Sequence, residues 1–480
     1  MSGELPVTGK RSFFASVGAL SAARAAAMAS QLLVLPILAR YLSPAEFGIV
    51  ALAMSVAVLA NMLSDGGMGR SLIRTPLEKY DEWSTVFWCL TALGLGLFLG
   101  LLALAPAMVW LFEEPALFWP LAVLTPIPFI LALSAAFAAE MEQRDAFGEL
   151  ALAQTAATFA GLGAAVWMAI EGYGVWALIA QQILLQGVRA AWVILRSRFR
   201  PGLMFSRTAL APHFTFGRDT IAASLLTYLR EQSTPLVIGK MLGVADLGIY
   251  AMTARFMRLP MFALAGPFGQ VLYVRLTRAQ HDMEDFRGIL LAALRLLAFA
   301  ILPPMAALAV TAETVFVLVL SETWAPVAPV FALIACGAAL IAITNPVAIA
   351  LSALGQTMAR LRLTLEATLF WLILLATSVS FGLAAVAAAR SLWMLLLLPR
   401  NQIYLNRACG VTARSFALAF LPGGLTAVAV MLTIIGADAA SSLSGWAWVG
   451  LVALLSTLVF GFAALLCKAT LLKDLSRLRG

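Results

Sequence analysis

The chain has 480 residues, of which 62% are hydrophobic and 12% charged, and its net charge is +8. Soluble domains run at about 45–50% apolar and about 25% charged, so these proportions exclude a water-soluble enzyme, a disordered chain and a coiled coil. The 32 basic residues fall in short clusters between apolar runs, leaving no cationic face for nucleic acid, and Cys89, Cys336, Cys409 and Cys467 are too scattered for a disulfide framework or a zinc site.

A helix that crosses a bilayer needs about 20 mostly apolar residues. In chain order fourteen such runs are read, near 13–38, 47–72, 84–111, 117–139, 150–170, 175–195, 214–238, 248–274, 287–311, 327–352, 361–380, 383–404, 415–436 and 445–467. Lys10 and Arg11 imitate the start of a signal peptide, but the run behind them is too long and holds Arg24, so a retained first helix is expected. Asp65, within Ser64-Asp65-Gly66-Gly67, is expected to break the second span. Pro303-Pro304 is expected to interrupt the ninth span and Asn345-Pro346 to kink the tenth.

Basic residues mark the cytoplasmic connections. With the N-terminus inside, the inner segments collect Lys10, Arg11, Arg70, Arg74, Lys79, Arg144, Arg196, Arg198, Arg200 and most later arginines, while the outer loops hold only Arg40 and Lys240 and are otherwise acidic, as at Glu113, Glu114 and Glu171. Both termini are therefore expected in the cytoplasm.

An internal repeat organises the chain. Ala39-Arg40-Tyr41-Leu42 through Glu46-Phe47-Gly48 is echoed by Gly239-Lys240-Met241-Leu242 through Asp246-Leu247-Gly248, and weaker echoes pair Tyr173-Gly174-Val175 with Phe381-Gly382-Leu383 and Glu113 and Pro120 with Glu322 and Pro329. Six spans separate the members of each pair, so the two copies share one orientation. The expected architecture is an all-α polytopic membrane protein with two parallel-repeat six-helix lobes, residues 1–200 and 201–408, followed by a helix pair and tail, 409–480. The repeated joint itself reads as a turn, with glycine for close approach and the acid capping the next helix.

Leu35-Pro36, Ala39-Arg40-Tyr41-Leu42-Ser43-Pro44-Ala45-Glu46-Phe47-Gly48, Leu63-Ser64-Asp65-Gly66-Gly67-Met68-Gly69 and Leu72-Ile73-Arg74 resemble the N-terminus of bacterial polysaccharide transporters, the Wzx-type lipid-linked oligosaccharide flippases of the MOP superfamily. Gly172-Tyr173-Gly174-Val175-Trp176, Ile238-Gly239 with Gly248-Ile249-Tyr250, and Trp324-Ala325-Pro326 fit the same pattern. One departure is Gln232-Ser233-Thr234, where members often carry Asn-x-Asp, so no role for that acid is transferred. The resemblance implies export of undecaprenyl-diphosphate-linked oligosaccharide across the inner membrane for capsule, exopolysaccharide or O-antigen assembly. It also implies work alongside a polysaccharide polymerase and its chain-length regulator.

Such a machine needs cations for the diphosphate. An arginine inside a span costs roughly 2.5–3.5 kcal/mol on insertion scales unless it faces water, a partner or a ligand. Arg24 stands near the middle of its helix and is the first candidate, with Arg255 and Arg258, three apart on one helical face, and then Arg230 and Arg218. Arg189 and Arg218 lie near the cytoplasmic side within snorkelling reach, and Arg230 has Glu231 beside it. Arg295 and Arg390 are less informative. The intramembrane acids Asp65, Glu366, Asp219 and Glu231 are candidates for proton or sodium coupling, of which only Asp65 and Glu366 have no opposite charge next to them in sequence. No cofactor is expected. His213 and His281 have no catalytic grouping around them and no Walker motif is present, which points away from an enzyme. A polymerase would need a large outer loop, and a multidrug antiporter of the superfamily would favour twelve spans and an acidic pocket. A lipid II flippase, with fourteen spans and cationic cavity, remains the alternative on sequence.

Overall fold

The computed structural model describes Ser30 and residues 34–479 except 67, 74, 76 and 78, so most of the first span, Arg24 included, lies outside the described residues. The described residues form helices and no strands. A bilayer core offers no water to unpaired backbone groups, and a helix satisfies them within one segment. Eleven of the helices are long and apolar enough to cross a membrane. These described helices gather into two compact units that divide between Gly248 and Ile249.

In the first unit the second span is broken as expected: α1 (Pro44–Leu63) ends at Ser64, Gly66 takes φ +52°, and a short α2 (Met68–Leu72) follows. The third to sixth spans are α3 (Tyr80–Phe112), the pair α4 (Phe118–Leu124) and α5 (Pro126–Gln143), α6 (Phe147–Ile170) and α7 (Val175–Arg196). α3 packs on α5, and α6 on α7. Exposed Trp110, Trp119, Trp167 and Tyr173 cluster around the acidic 112–116 and 171–174 connections, the position of an interfacial aromatic belt. At the opposite end of these helices, residues 197–206 are strapped to the bundle. Phe199 is buried among Trp83, Phe87 and Phe137, with ring centroids 5.6, 6.3 and 5.6 Å away. Gly202 N–H donates to Ser84 Oγ at 3.1 Å, and its carbonyl accepts from Trp88 Nε1 at 2.8 Å. Buried Glu140 fixes the start of the strap, its Oε2 accepting from Ser197 Oγ at 2.7 Å and Arg198 N at 3.2 Å while its Oε1 lies 3.2 Å from Arg144 Nε.

The seventh span, α8 (Arg207–Met241), packs on α1, α2 and α3, so the compact units divide later in the chain than the repeat boundary at 200. α9 (Val244–Met257) carries the chain onward. The repeated glycines explain themselves here. A Cβ on Gly48 would run into the Val244 carbonyl and one on Gly248 into the Pro44 carbonyl, and each would lie 3.0 Å from the other glycine's nitrogen. The two copies of the motif therefore cross backbone to backbone at the residue they share. Glu46 completes a capping box with Ser43, whose backbone N–H donates to Glu46 Oε2 at 2.7 Å, as expected for the acid of the joint.

In the second unit the eighth span is not one straight helix. α9 stops at Met257, a π-helical turn occupies Met261–Ala265, and α10 (Gly266–Arg278) resumes the path. Pro260 and Pro267 flank the turn, and each lacks the N–H an unbroken α-helix would use there. The ninth span, α11 (Met283–Val310), instead runs on through Pro303 and Pro304, contrary to the interruption expected. After the short α12 (Ala312–Val319), α13 (Val327–Ala353) is likewise continuous through Pro346. In both helices packing against neighbours outweighs the donors that proline removes, α13 being the most buried of the spans. The eleventh and twelfth spans are α14 (Thr357–Ser378) and α15 (Leu383–Cys409).

The last two spans, α16 (Ala413–Ala440) and α17 (Gly445–Leu466), differ in how far they are buried. α17 is almost wholly exposed along its apolar surface. α16 lies along α11, because Gly423 has no Cβ to collide with the Ala298 carbonyl. A terminal helix, α18 (Lys468–Arg479), docks on α11, where Arg295 Nη1 lies 3.2 and 3.0 Å from the two carboxylate oxygens of buried Asp474. Burial pushes the Asp474 carboxyl up, against the downward pull of Arg295.

Gly48→Ala and Gly248→Ala should each lower the thermal unfolding midpoint of the purified protein, by about 1–3 kcal/mol of overpacking or more, because the obstacle is backbone. Gly96→Ala, with open space around its Cβ position, should leave the midpoint unchanged. Arg295→Ala should make α18 docking depend on pH. An acid whose folded pKa is raised stabilises the docked state at low pH and loses that contribution as pH rises through its titration. Hydrogen exchange of residues 468–479 should show protection in acid and release toward neutral pH, with a smaller change in the same direction in the parent, where Arg295 offsets part of the burial.

Candidate functional site

The sequence-predicted site residues fall in several different elements of the chain. Arg24 lies outside the described residues, and Arg218 and Asp219 are on α8 with side chains outside what is described. Arg230 and Glu231 pair with each other at 3.3 Å, both exposed. Arg255 and Arg258 do not share an uninterrupted helical face: Arg255 is in the last turn of α9, and Arg258 sits in the turn just past its end, where proline has broken the ladder. Both side chains are exposed.

Glu366 is the clearest correction. It has no opposite charge beside it in sequence, yet Arg400 grips it with Nε to Oε2 at 2.6 Å and Nη2 to Oε1 at 2.8 Å, and Tyr404 donates its hydroxyl to Oε1 at 2.9 Å. Two antiparallel helices joined by a short turn bring residues 34 and 38 positions apart onto one level. Arg390 is also accounted for. Its guanidinium lies over both Trp371 and Trp393, 4.5 Å from each ring centroid, and these two rings meet edge to face 5.7 Å apart, so π systems stabilise a cation inside a span.

Asp65 lies at a cavity. Its Oδ1 accepts from Gly69 N at 2.9 Å, which fixes the break between α1 and α2. Beside it opens a space of about 260 Å³ between α1, α2, α5 and α7, lined among others by Asn61, Ser64, Ser134, Glu142, Gln186 and Arg189. Arg189, which length alone had assigned to snorkelling, is therefore part of a polar cavity wall. The second unit holds a cavity of about 550 Å³ between α10, α13 and the start of α14, lined by Gln270, Tyr273, Asn345, Ser352 and Arg360, with Arg360 Nη1 donating to Ser352 Oγ at 2.9 Å.

The two cavities occupy corresponding places in the repeat. Gly66 and Gly69 recur 200 positions later as Gly266 and Gly269, and Ile73 as Tyr273. On the facing helix Ala135, Ala138, Ala139 and Glu142 recur 210 positions later as Asn345, Ala348, Ile349 and Ser352. Each unit thus hollows out the same joint, where an interrupted helix meets the fourth span of its repeat. The Gly-x-x-Gly pair was the signal in the sequence that marked these places. Among the described residues no group of His, Cys, Asp and Glu is arranged to hold a metal ion.

Comparison with known proteins places the chain. The family described as "Polysaccharide biosynthesis protein" matches residues 37–329. The succinoglycan biosynthesis transport protein ExoT of Rhizobium meliloti is 28% identical over 356 residues, covering 74% of this chain and 70% of that protein. The lipopolysaccharide biosynthesis protein WzxC of Escherichia coli is 26% identical over 65% of this chain and 64% of its own length, and the teichuronic acid biosynthesis protein TuaB of Bacillus subtilis 22% identical over 62% of each. For these last two, the match spans somewhat less than two thirds of the relative. Among solved structures, the lipid II flippase MurJ in an inward closed conformation has a TM-score of 0.74 at 15% identity, covering 94% of this chain and 99% of that one. An inward-facing multidrug resistance transporter of the MATE family in the MOP superfamily has a TM-score of 0.56 at 17% identity, covering 84% and 95%. These likenesses establish the fold.

The grip on Glu366 yields a double-mutant cycle. Glu366→Gln and Arg400→Gln should each lower the unfolding midpoint only slightly, since both side chains are more than a third exposed, and the double variant should lose no more than either single one. Thermal unfolding of the four proteins measures the coupling.

Proposed function

The chain belongs to the polysaccharide biosynthesis protein family, and on that premise we propose that it is an exporter of lipid-linked oligosaccharide, turning an undecaprenyl-diphosphate-carried glycan from the cytoplasmic to the outer leaflet of the bacterial inner membrane. The family match over residues 37–329 is the observation that carries the reading. The multi-pass helical fold and the relatives named for polysaccharide transport and biosynthesis support it. Both termini are cytoplasmic in this reading, and the two repeated lobes, 1–200 and 201–408, work by alternating access. The exported glycan passes to a polymerase and its chain-length regulator.

The physical task is to move a diphosphate and a glycan through a region where neither is solvated. A bare charge in hydrocarbon is prohibitive, so the diphosphate needs cations along its path. Arginine keeps its charge at any physiological pH and offers a planar fork to phosphate oxygens. Arg24, Arg255 and Arg258 take that part here, the last two being exposed at the break of the eighth span. Several moderate sites suit a carrier better than one tight cage, because the cargo has to leave. Asp65, Asp219 and Glu231 are the acids through which a proton or sodium gradient drives the cycle, whereas Glu366 is occupied by its ion pair.

The test is made in a strain that depends on this chain for its surface polysaccharide. Removal should abolish surface polysaccharide and leave lipid-linked oligosaccharide on the inner leaflet. Arg24→Ala and Arg258→Ala should lower export at least tenfold at normal protein levels, with partial recovery in the lysine variants. Normal polysaccharide without the chain, or accumulation of peptidoglycan precursor instead, would refute this cargo.

A further inference from the structure

We propose that the cavity of the first unit is a subsite for one neutral sugar residue of the cargo. This rests on the reading of the chain as a glycan exporter and assigns to that reading a place for the glycan, separate from the arginines assigned to the diphosphate.

The lining selects the ligand. Asp65 and Glu142 contribute two carboxylates and Arg189 one guanidinium, while Asn61, Ser134 and Gln186 are neutral groups that both donate and accept. Two carboxylates disfavour a phosphate. A guanidinium in the same wall disfavours a bare metal cation. A hydroxyl-rich ring, each of whose hydroxyls both donates and accepts, matches the mixture.

Size points the same way. The space of about 260 Å³ far exceeds the ~10–15 Å³ that admits a single water, yet falls below the ~300–1,000 Å³ of ordinary drug-sized sites. It is large enough to admit one sugar ring. The corresponding cavity of the second unit sharpens the assignment. There the acid Glu142 is replaced by Ser352, and Asn345 and Gln270 line the wall. What recurs at the same joint is neutral hydrogen-bonding capacity beside one guanidinium, Arg189 in the first cavity and Arg360 in the second. That is the shared requirement of hydroxyl recognition. Asp65 also keeps the joint open, since its bond from Gly69 N holds the break between α1 and α2 that forms one wall.

The experiment uses the full chain in lipid nanodiscs, with oligosaccharides made by partial acid hydrolysis of the polysaccharide that the producing strain secretes. Saturation-transfer difference NMR should show transfer from the protein to sugar protons. The signal should fall at least fivefold in Gln186→Leu, which removes two-way hydrogen bonding at similar size, and in Ala138→Phe, which fills the cavity. Ser134→Ala, the mildest change, should weaken it about twofold and covers the event that a larger variant does not fold, judged by monodispersity and unfolding midpoint. Absence of transfer to the parent protein, or transfer undiminished in the folded variants, would overturn the proposal. Competitive loss of signal on adding sodium chloride or inorganic phosphate would assign the cavity to an ion and overturn it equally. Because binding is read without transport, the subsite and the export reading can fail separately: lost export in Arg258→Ala with undiminished sugar contact supports both.

Discussion

A charge inside a membrane bundle must be matched locally, and that constraint explains more of this structure than any other. Each well-defined intramembrane ion has a different solution. Arg390 lies over a contacting pair of tryptophans, Arg295 is held by a buried carboxylate from the terminal helix, and Glu366 by a two-pronged arginine and a phenol. None of these partners is a sequence neighbour. The solutions also do mechanical service. The Arg295–Asp474 contact ties α18 to α11, and Glu140 ties the strap at 197–206 to the end of the first unit. A buried pair is a weak source of net stability, but removing one partner is expensive, so such contacts fix where an element sits.

Helix interruptions carry the second level of organisation. Proline alone does not decide them: α11 and α13 run through Pro303, Pro304 and Pro346, whereas the path breaks between Pro260 and Pro267 and around Asp65 and Gly66. The difference lies in what can replace the missing bonds. Around Gly66 the backbone takes a left-handed turn and Asp65 caps the next segment. Past Arg258 the chain inserts a π turn, a device that widens the helix where a wall is needed. Both interruptions border polar cavities, which makes them boundaries of sites and not flaws in packing.

The repeat joins these levels. Duplication of one six-helix pattern accounts for the paired glycines at the crossing, the paired Gly-x-x-Gly joints and the paired cavities. The side chains have since diverged, leaving Asp65 and Glu142 in one cavity wall where the other has Gln270, Asn345 and Ser352, with a guanidinium in each. Divergence on a retained backbone is expected when the shape is needed twice and the chemistry is used differently.

The all-helical, multi-pass character was legible in the chain itself, because bilayer thickness imposes a length on every span and a helix must satisfy its own backbone. The break at Asp65 was legible too, since Gly66-Gly67 beside a capping acid is a local signal. Tertiary structure alone decided the rest. That Glu366 is paired, that Arg189 lines a cavity and that α16 is seated on α11 depend on which helix stands beside which, and linear adjacency holds no record of it. The break after Arg255 required knowing that neighbouring helices compensate for some prolines and not others. A sequence fixes the energy of each residue in a span through transfer from water to hydrocarbon, but the partner that offsets a buried charge is chosen in three dimensions.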